Sequence, residues 1–284
     1  MSLRILFFAL LAWILSDRVC ASVNPGDNWL FSSGEIISFE ASFSGDLQDL
    51  NSKSVPTDFI GSKIVKLFSD NDIEGLLSFA ASLQKSITKE ISDSATVSKY
   101  YYYAGVCYLL SGNYPEAIEN LSNSVSLKKA LGLVDDHYLK GIYNIGVSYN
   151  FLGDYIQVCN HMLEYINEAS GIYGPDNPEV AEAYTTLIGA TVECRDFENF
   201  SKYSAQILGI LSNNKNAVTG NNLIRLYINI GVGYVMMADY SKARIYLEQA
   251  ESLIESSRII PDRDYMNLIN SLAVTYSYLG MTAQ

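Results

Sequence analysis

The sequence predicts an all-α chain assembled from about five to six copies of one helix–turn–helix unit, stacked as a solenoid. Three observations predict this. Similar segments recur around Ile64, Gly105, Gly146, Gly189, Gly231 and Ala273, at steps of 41, 41, 43, 42 and 42 residues. Within the segments apolar residues fall at three- and four-residue spacing, the period of one helix face. In four of them the stripe breaks at Gly, Asn or Asp and resumes at once with an aromatic residue: Tyr114, Tyr155, Phe197 or Tyr240.

The chain begins with a segment of export type. Arg4 supplies a positive start, Ile5 to Leu15 is an eleven-residue apolar run, and Val19-Cys20-Ala21 ends it with small residues suited to cleavage after Ala21. The run is short for a membrane span, which needs about 20 residues. Residues 1–21 are therefore expected to be a signal peptide, with an uncleaved membrane anchor as the alternative. Residues 22–56 are rich in Ser, Gly, Asn and Asp and show no sustained helical period. They read as a flexible lead-in.

The repeat pattern occupies residues 57–284, with copies near 57–97, 98–138, 139–181, 182–223, 224–265 and an incomplete one at 266–284. The first copy is weak, held by Ile64, Leu67, Asp72 and Ile73. The second is the clearest. Tyr101, Ala104, Gly105 and Tyr108 share one helix face, Gly112 and Asn113 break it, and a second stripe runs through Ala117, Ile118, Leu121, Val125 and Leu127. Gly105 and Ala117 are small where two helices must approach closely. A hairpin of this kind cannot bury its apolar face alone, so it must stack on copies of itself. Later copies repeat the frame with Tyr149, Gly153 and Asp154; with Asp196; with Tyr234, Asp239 and Ala243; and with Tyr276 and Gly280.

This frame of aromatic, small residue, Tyr, and a later Ala resembles the tetratricopeptide repeat (TPR). The resemblance implies a right-handed TPR superhelix. The period exceeds the usual value of about 34 residues and is similar to that of the long repeats of the kinesin-light-chain kind. Tyr173-Gly174-Pro175-Asp176-Asn177-Pro178-Glu179 looks like their inter-repeat connector. Gly174 stops one helix, Asn177 caps the next, Pro178 takes its first position and Glu179 suits its positive end.

The last residues read as the first helix of another copy, which would leave Leu272, Tyr276 and Leu279 with one side uncovered. The chain is accordingly expected to be part of a longer protein.

Composition and motifs point away from chemistry and from nucleic acid. Hydrophobic residues make up 49% of the chain, charged residues 18%, and the formal net charge is −12. Nucleic-acid binding needs clustered Lys and Arg, and the one basic pair, Lys128-Lys129, reads as a helix-end charge. Of the four cysteines, Cys20 leaves with the signal peptide. Cys107, Cys159 and Cys194 are widely spaced and read as buried thiols without a partner. His137 falls in a loop and His161 on a helix; a zinc site would need about four convergent ligands. Asp135-Asp136 reads as a loop charge or helix cap. No catalytic residue, metal site or cofactor is expected, and the chain is expected not to be an enzyme, although an enzymatic domain could follow Gln284.

The resemblance implies a binding face lined by first helices. In the repeat frame this face is expected to include Lys99, Tyr102, Val106, Leu109, Tyr143, Val147, Asn150, Thr186, Arg225, Ile228, Val232, Asn267, Asn270 and Val274. Tyr102, Tyr143 and Val106 stand where a clamp for acidic chaperone tails would need polar groups, so the expected partner is a protein or peptide with apolar anchors. Membrane association is expected only through the first segment or a region beyond Gln284. The sequence thus points to an interaction module outside the cytoplasm. It resembles the sensory half of bacterial TPR-containing membrane regulators, notably of Bacteroidetes, with a self-standing periplasmic scaffold for envelope assembly as the alternative.

Overall fold

The computed structural model describes residues 57–89, 93–257 and 263–281; the expected signal peptide and lead-in lie outside them. The described residues form eleven α-helices and no strand. They are α1 (Thr57–Ser69), α2 (Ile73–Lys89), α3 (Ser94–Leu110), α4 (Tyr114–Ala130), α5 (Asp136–Leu152), α6 (Tyr155–Tyr173), α7 (Pro178–Glu193), α8 (Phe197–Asn213), α9 (Gly220–Met236), α10 (Tyr240–Ser257) and α11 (Arg263–Tyr278). They fall into two compact units, α1–α8 up to Val218 and α9–α11 from Thr219. Within each unit every helix packs on the next, and first helices also adjoin: α1 on α3, α3 on α5, α9 on α11.

The turn inside each pair follows one plan. A residue in the left-handed region ends the first helix, and an Asp or Asn begins the second. The pairs are Asn71-Asp72, Gly112-Asn113, Gly153-Asp154, Arg195-Asp196 and Ala238-Asp239, with φ of 54, 77, 74, 55 and 58° at the first residue. The carboxylates of Asp72, Asp154, Asp196 and Asp239 accept from backbone N–H groups three residues on, at 2.8 to 3.2 Å. This satisfies donors that the helix starts leave open. The connector between α6 and α7 behaves as its residues predict: Gly174 ends α6, Asn177 Oδ1 accepts from Glu179 N at 2.8 Å, and Pro178 opens α7.

The repeat anchors sit where pairs close. A Cβ on Gly105 would lie 2.6 Å from Leu121 Cγ and 3.1 Å from the Leu121 backbone nitrogen on α4. A Cβ on Gly231 would lie 2.5 Å from Leu247 Cδ2 on α10. In the second unit, Ile224, Ile228, Ala243, Leu247, Ala250, Leu268 and Leu272 make one buried cluster. Leu272 is thus covered, contrary to expectation, because α11 turns that stripe onto α9 and α10. The exposed apolar side chains of α11 are instead Met266, Ile269, Val274 and Tyr278.

Four other expectations are corrected. The single apolar stripe on α3 is too narrow: Tyr102 through Cys107, Leu109 and Leu110 are all buried, because α1, α2, α4 and α5 surround this helix. The buried stripe of α4 is half polar, running through Ala117, Asn120, Leu121, Ser124 and Lys128. Each polar member is partnered. Gln84 Nε2 donates to Asn120 Oδ1 at 2.8 Å, and Ser124 Oγ donates to the Ser98 carbonyl at 2.7 Å. Lys128, only 1% exposed, is no solvated helix-end charge; its Nζ meets Asp135 Oδ2 at 2.5 Å. Burial raises the Asp135 carboxyl. The Lys128 hydrogen bond, the Tyr138 N–H and the Lys128 charge together outweigh that and hold it below its ordinary value. Finally, His137 lies in the first turn of α5 rather than in a loop, with its ring 4.7 Å from that of Tyr102 and its Nε2 3.2 Å from Tyr103 Oη.

Candidate binding surface

Register relative to the anchors organises the expected face. Three residues before the anchor stand Tyr102, Tyr143, Thr186, Ile228 and Asn270; one after stand Val106, Val147, Val232 and Val274. Equivalent positions do not have equivalent exposure. Tyr102, Val106 and Leu109 on α3 are at most 3% exposed, as is Ile228 on α9. These four are core and drop out of any open surface. Their packing explains it: the Tyr102 ring lies edge-on to Tyr103 and His137, and Ile228 belongs to the buried cluster of the second unit.

What remains in the first unit is Lys99 on α3, the row Tyr143, Val147 and Asn150 on α5, and Thr186 on α7, all half-buried. In the second unit Arg225 and Val232 are half-buried, while Asn267, Asn270 and Val274 on α11 are exposed. The two sets belong to separate units.

Within the α5 row, Tyr143 is fixed by aromatic packing. The Tyr143 ring stands 5.3 Å from that of Tyr165, edge-on at 63°. Tyr165 Oη donates to Glu179 Oε2 at 3.2 Å, and Tyr173 Oη donates to Asp136 Oδ1 at 2.5 Å. Burial, then the neighbouring Glu179, push the Tyr165 hydroxyl far above its ordinary range, so it stays a donor. These bonds join α5, α6 and α7, and Tyr165 ties them to Tyr143. On α5 and α6, Tyr149 stacks on His161 with ring centroids 5.6 Å apart and planes 10° apart. Burial lowers the His161 imidazole below its usual value, with Glu164 opposing.

Among the described residues no group of three or more His, Cys, Asp or Glu is placed to hold a metal ion. No described helix is long and apolar enough to cross a membrane. Of the cysteines, Cys107 is buried, and desolvation pushes its thiol up to about 12. Cys159 is half-buried and Cys194 exposed, rather than both buried. Burial is the first cause that pushes the Cys159 thiol up, to about 12, and that raises the Cys194 thiol.

No protein-family model matches the sequence, and no curated protein matches it. Solved structures do. BtubC (BKLC) from P. vanneervenii superposes with a TM-score of 0.60 at 18% identity, covering 82% of this chain and 95% of that one. Nearly identical TPR-like repeats of the kinesin-light-chain type from Podosopora anserina give a TM-score of 0.57 at 12% identity, covering 69% and 94%. NprR, a quorum sensor of B. thuringiensis, solved in complex with its cognate peptide NprX, gives 0.56 at 17% identity, covering 86% and 72%. At these identities the likeness establishes the fold: stacked helix pairs of TPR type.

Proposed function

We propose, on the premise that this chain carries the TPR-type helical-repeat fold, that it is a non-enzymatic module that binds a protein or peptide partner. We place it outside the cytoplasm, as the interaction or sensory part of a longer signalling protein. The observation that carries the binding reading is the row Tyr143, Val147 and Asn150 on α5, half-buried, with the Tyr143 ring set edge-on against Tyr165, whose hydroxyl donates to Glu179. Tyr143 offers a stiff aromatic wall and Val147 an apolar step. The Asn150 amide can both donate to and accept from the backbone of an extended segment. Partial burial strengthens such a bond by lowering the local dielectric. A related fold holding a peptide, NprR with NprX, supports the same use. The net charge of −12 disfavours acidic partners and nucleic acid.

Selection of a random-peptide library against the full chain tests this. Enriched peptides are expected to carry apolar anchors. Tyr143→Ala and Asn150→Ala should each weaken their binding about tenfold, roughly 1.4 kcal/mol, with unchanged far-UV circular dichroism. Peptides that bind both variants as tightly as the parent would move the site elsewhere.

Export rests on the Arg4, Ile5–Leu15 and Val19-Cys20-Ala21 pattern. Amino-terminal sequencing of the protein from its host should give Ser22 as the first residue. A mature product that retains Met1 would contradict a cleaved export signal.

A further inference from the structure

Stacked rings close the boundary between one helix pair and the next at two places. Tyr114 opens α4 and Tyr240 opens α10, each nine residues past its anchor, Gly105 or Gly231. Phe151 and Tyr278 each stand five residues past the following anchor, Gly146 or Ala273, at the ends of α5 and α11. Tyr114 stacks on Phe151 with ring centroids 4.8 Å apart and planes 6° apart, and Tyr240 stacks on Tyr278 at 4.3 Å and 4°. Of these two stacks, the second alone joins two phenols. Tyr278 is 68% exposed and Tyr240 half-buried, so the pair is open to solvent. Other tyrosine pairs are less favourably set. Tyr143 meets Tyr165 edge-on at 63°, and Tyr165 is buried. Tyr234 and Tyr246 stack at the longer distance of 5.7 Å, and both are half-buried. Tyr227 stands 6.2 Å from Tyr246 with its plane tilted by 34°. Two phenoxyl radicals overlap through their ring faces before they couple, and Tyr240 and Tyr278 already hold that arrangement.

We infer that Tyr240 and Tyr278 are an oxidative modification site, which closes into an intrachain dityrosine when the folded protein meets hydrogen peroxide and a haem peroxidase. The peroxidase removes one electron and one proton from each phenol. Hydrogen peroxide accepts the two electrons and two protons and leaves as two waters. The two phenoxyl radicals then couple through ring carbons ortho to their oxygens, forming one carbon–carbon bond. Each coupling carbon gives up its hydrogen as a proton and each oxygen takes one back, which restores both aromatic rings. The protein ends two hydrogens lighter. The bond would join the first residue of α10 to the last of α11. It links tyrosines 38 positions apart and so removes freedom from the unfolded chain.

The test is to treat the full folded chain, diluted to suppress collisions between molecules, with a haem peroxidase and hydrogen peroxide. Monomer is then isolated, digested and mapped by mass spectrometry, with dityrosine fluorescence followed in parallel. A fluorescent monomer with Tyr240 linked to Tyr278 is expected. The linkage should disappear in Tyr278→Phe, which keeps the ring and loses the phenol, and persist in Tyr246→Phe. Phe151→Tyr places a second phenol opposite Tyr114 and should add a second linkage there. The thermal midpoint of the linked protein should exceed that of the untreated protein by about 2–4 °C, with no rise in treated Tyr278→Phe. Monomer linked chiefly through other tyrosine pairs, dimers bridged through Tyr278 in place of the intrachain bond, or no dityrosine under conditions that couple free tyrosine would each overturn the inference.

Discussion

At Gly105 one missing methyl group sets how closely two helices approach. Most glycines within helices destabilise them relative to alanine by about 0.5–1 kcal/mol. Gly105→Ala would reverse that rule, since its new Cβ meets both the Leu121 side chain and the α4 backbone. We predict a loss of about 1–3 kcal/mol in urea unfolding, and a similar loss for Gly231→Ala against Leu247. Gly171→Ala on exposed α6 surface, where nothing lies within 4 Å, should instead stabilise by up to about 1 kcal/mol. Equal effects at all three positions would refute the close-approach account. These anchors were legible in the sequence because a small residue at a fixed period has few other uses. Lys128 was not. It shares a stripe with Ala117, Leu121 and Ser124, but a lysine on that stripe reads as solvated until Asp135 is seen beside it.

The turn between paired helices is the element most completely written in the sequence. Gly112-Asn113 and Gly153-Asp154 announce a left-handed residue followed by a cap. Asp196 and Asp239 announce their caps equally well. The residues before them, Arg195 and Ala238, carry no such signal, yet the structure holds them at φ of 55 and 58°. The repeat imposes the geometry of its glycine-bearing copies on residues that resist it. A left-handed conformation costs a non-glycine residue about 1–2 kcal/mol. Glycine avoids that cost but gives back part of it through a freer unfolded chain. Ala238→Gly is therefore expected to raise stability by about 0.5–1 kcal/mol, and Gly153→Ala to lower it by about 1 kcal/mol. Both are readable as shifts in the urea midpoint. An Ala238→Gly variant less stable than the parent would show that this turn is not strained.

For the molecule as a whole, the period revealed the helical repeat, but exposure followed neighbours rather than period. The position three before the anchor is buried at Tyr102, half-buried at Tyr143 and exposed at Asn270. One repeat cannot know how many helices surround it, so a face inferred from register alone mixes core with surface. Helices packed by four others, such as α3, lose their single apolar stripe. What survives in the first unit is the α5 row, and the proposed function rests on it. Amide hydrogen exchange of the full chain, with and without a library-selected peptide, tests that claim most directly. Slowed exchange is expected to concentrate in Asp136–Leu152, with lesser protection in Ser94–Leu110 beside it. Protection confined to other helices, with Asp136–Leu152 unchanged, would contradict it.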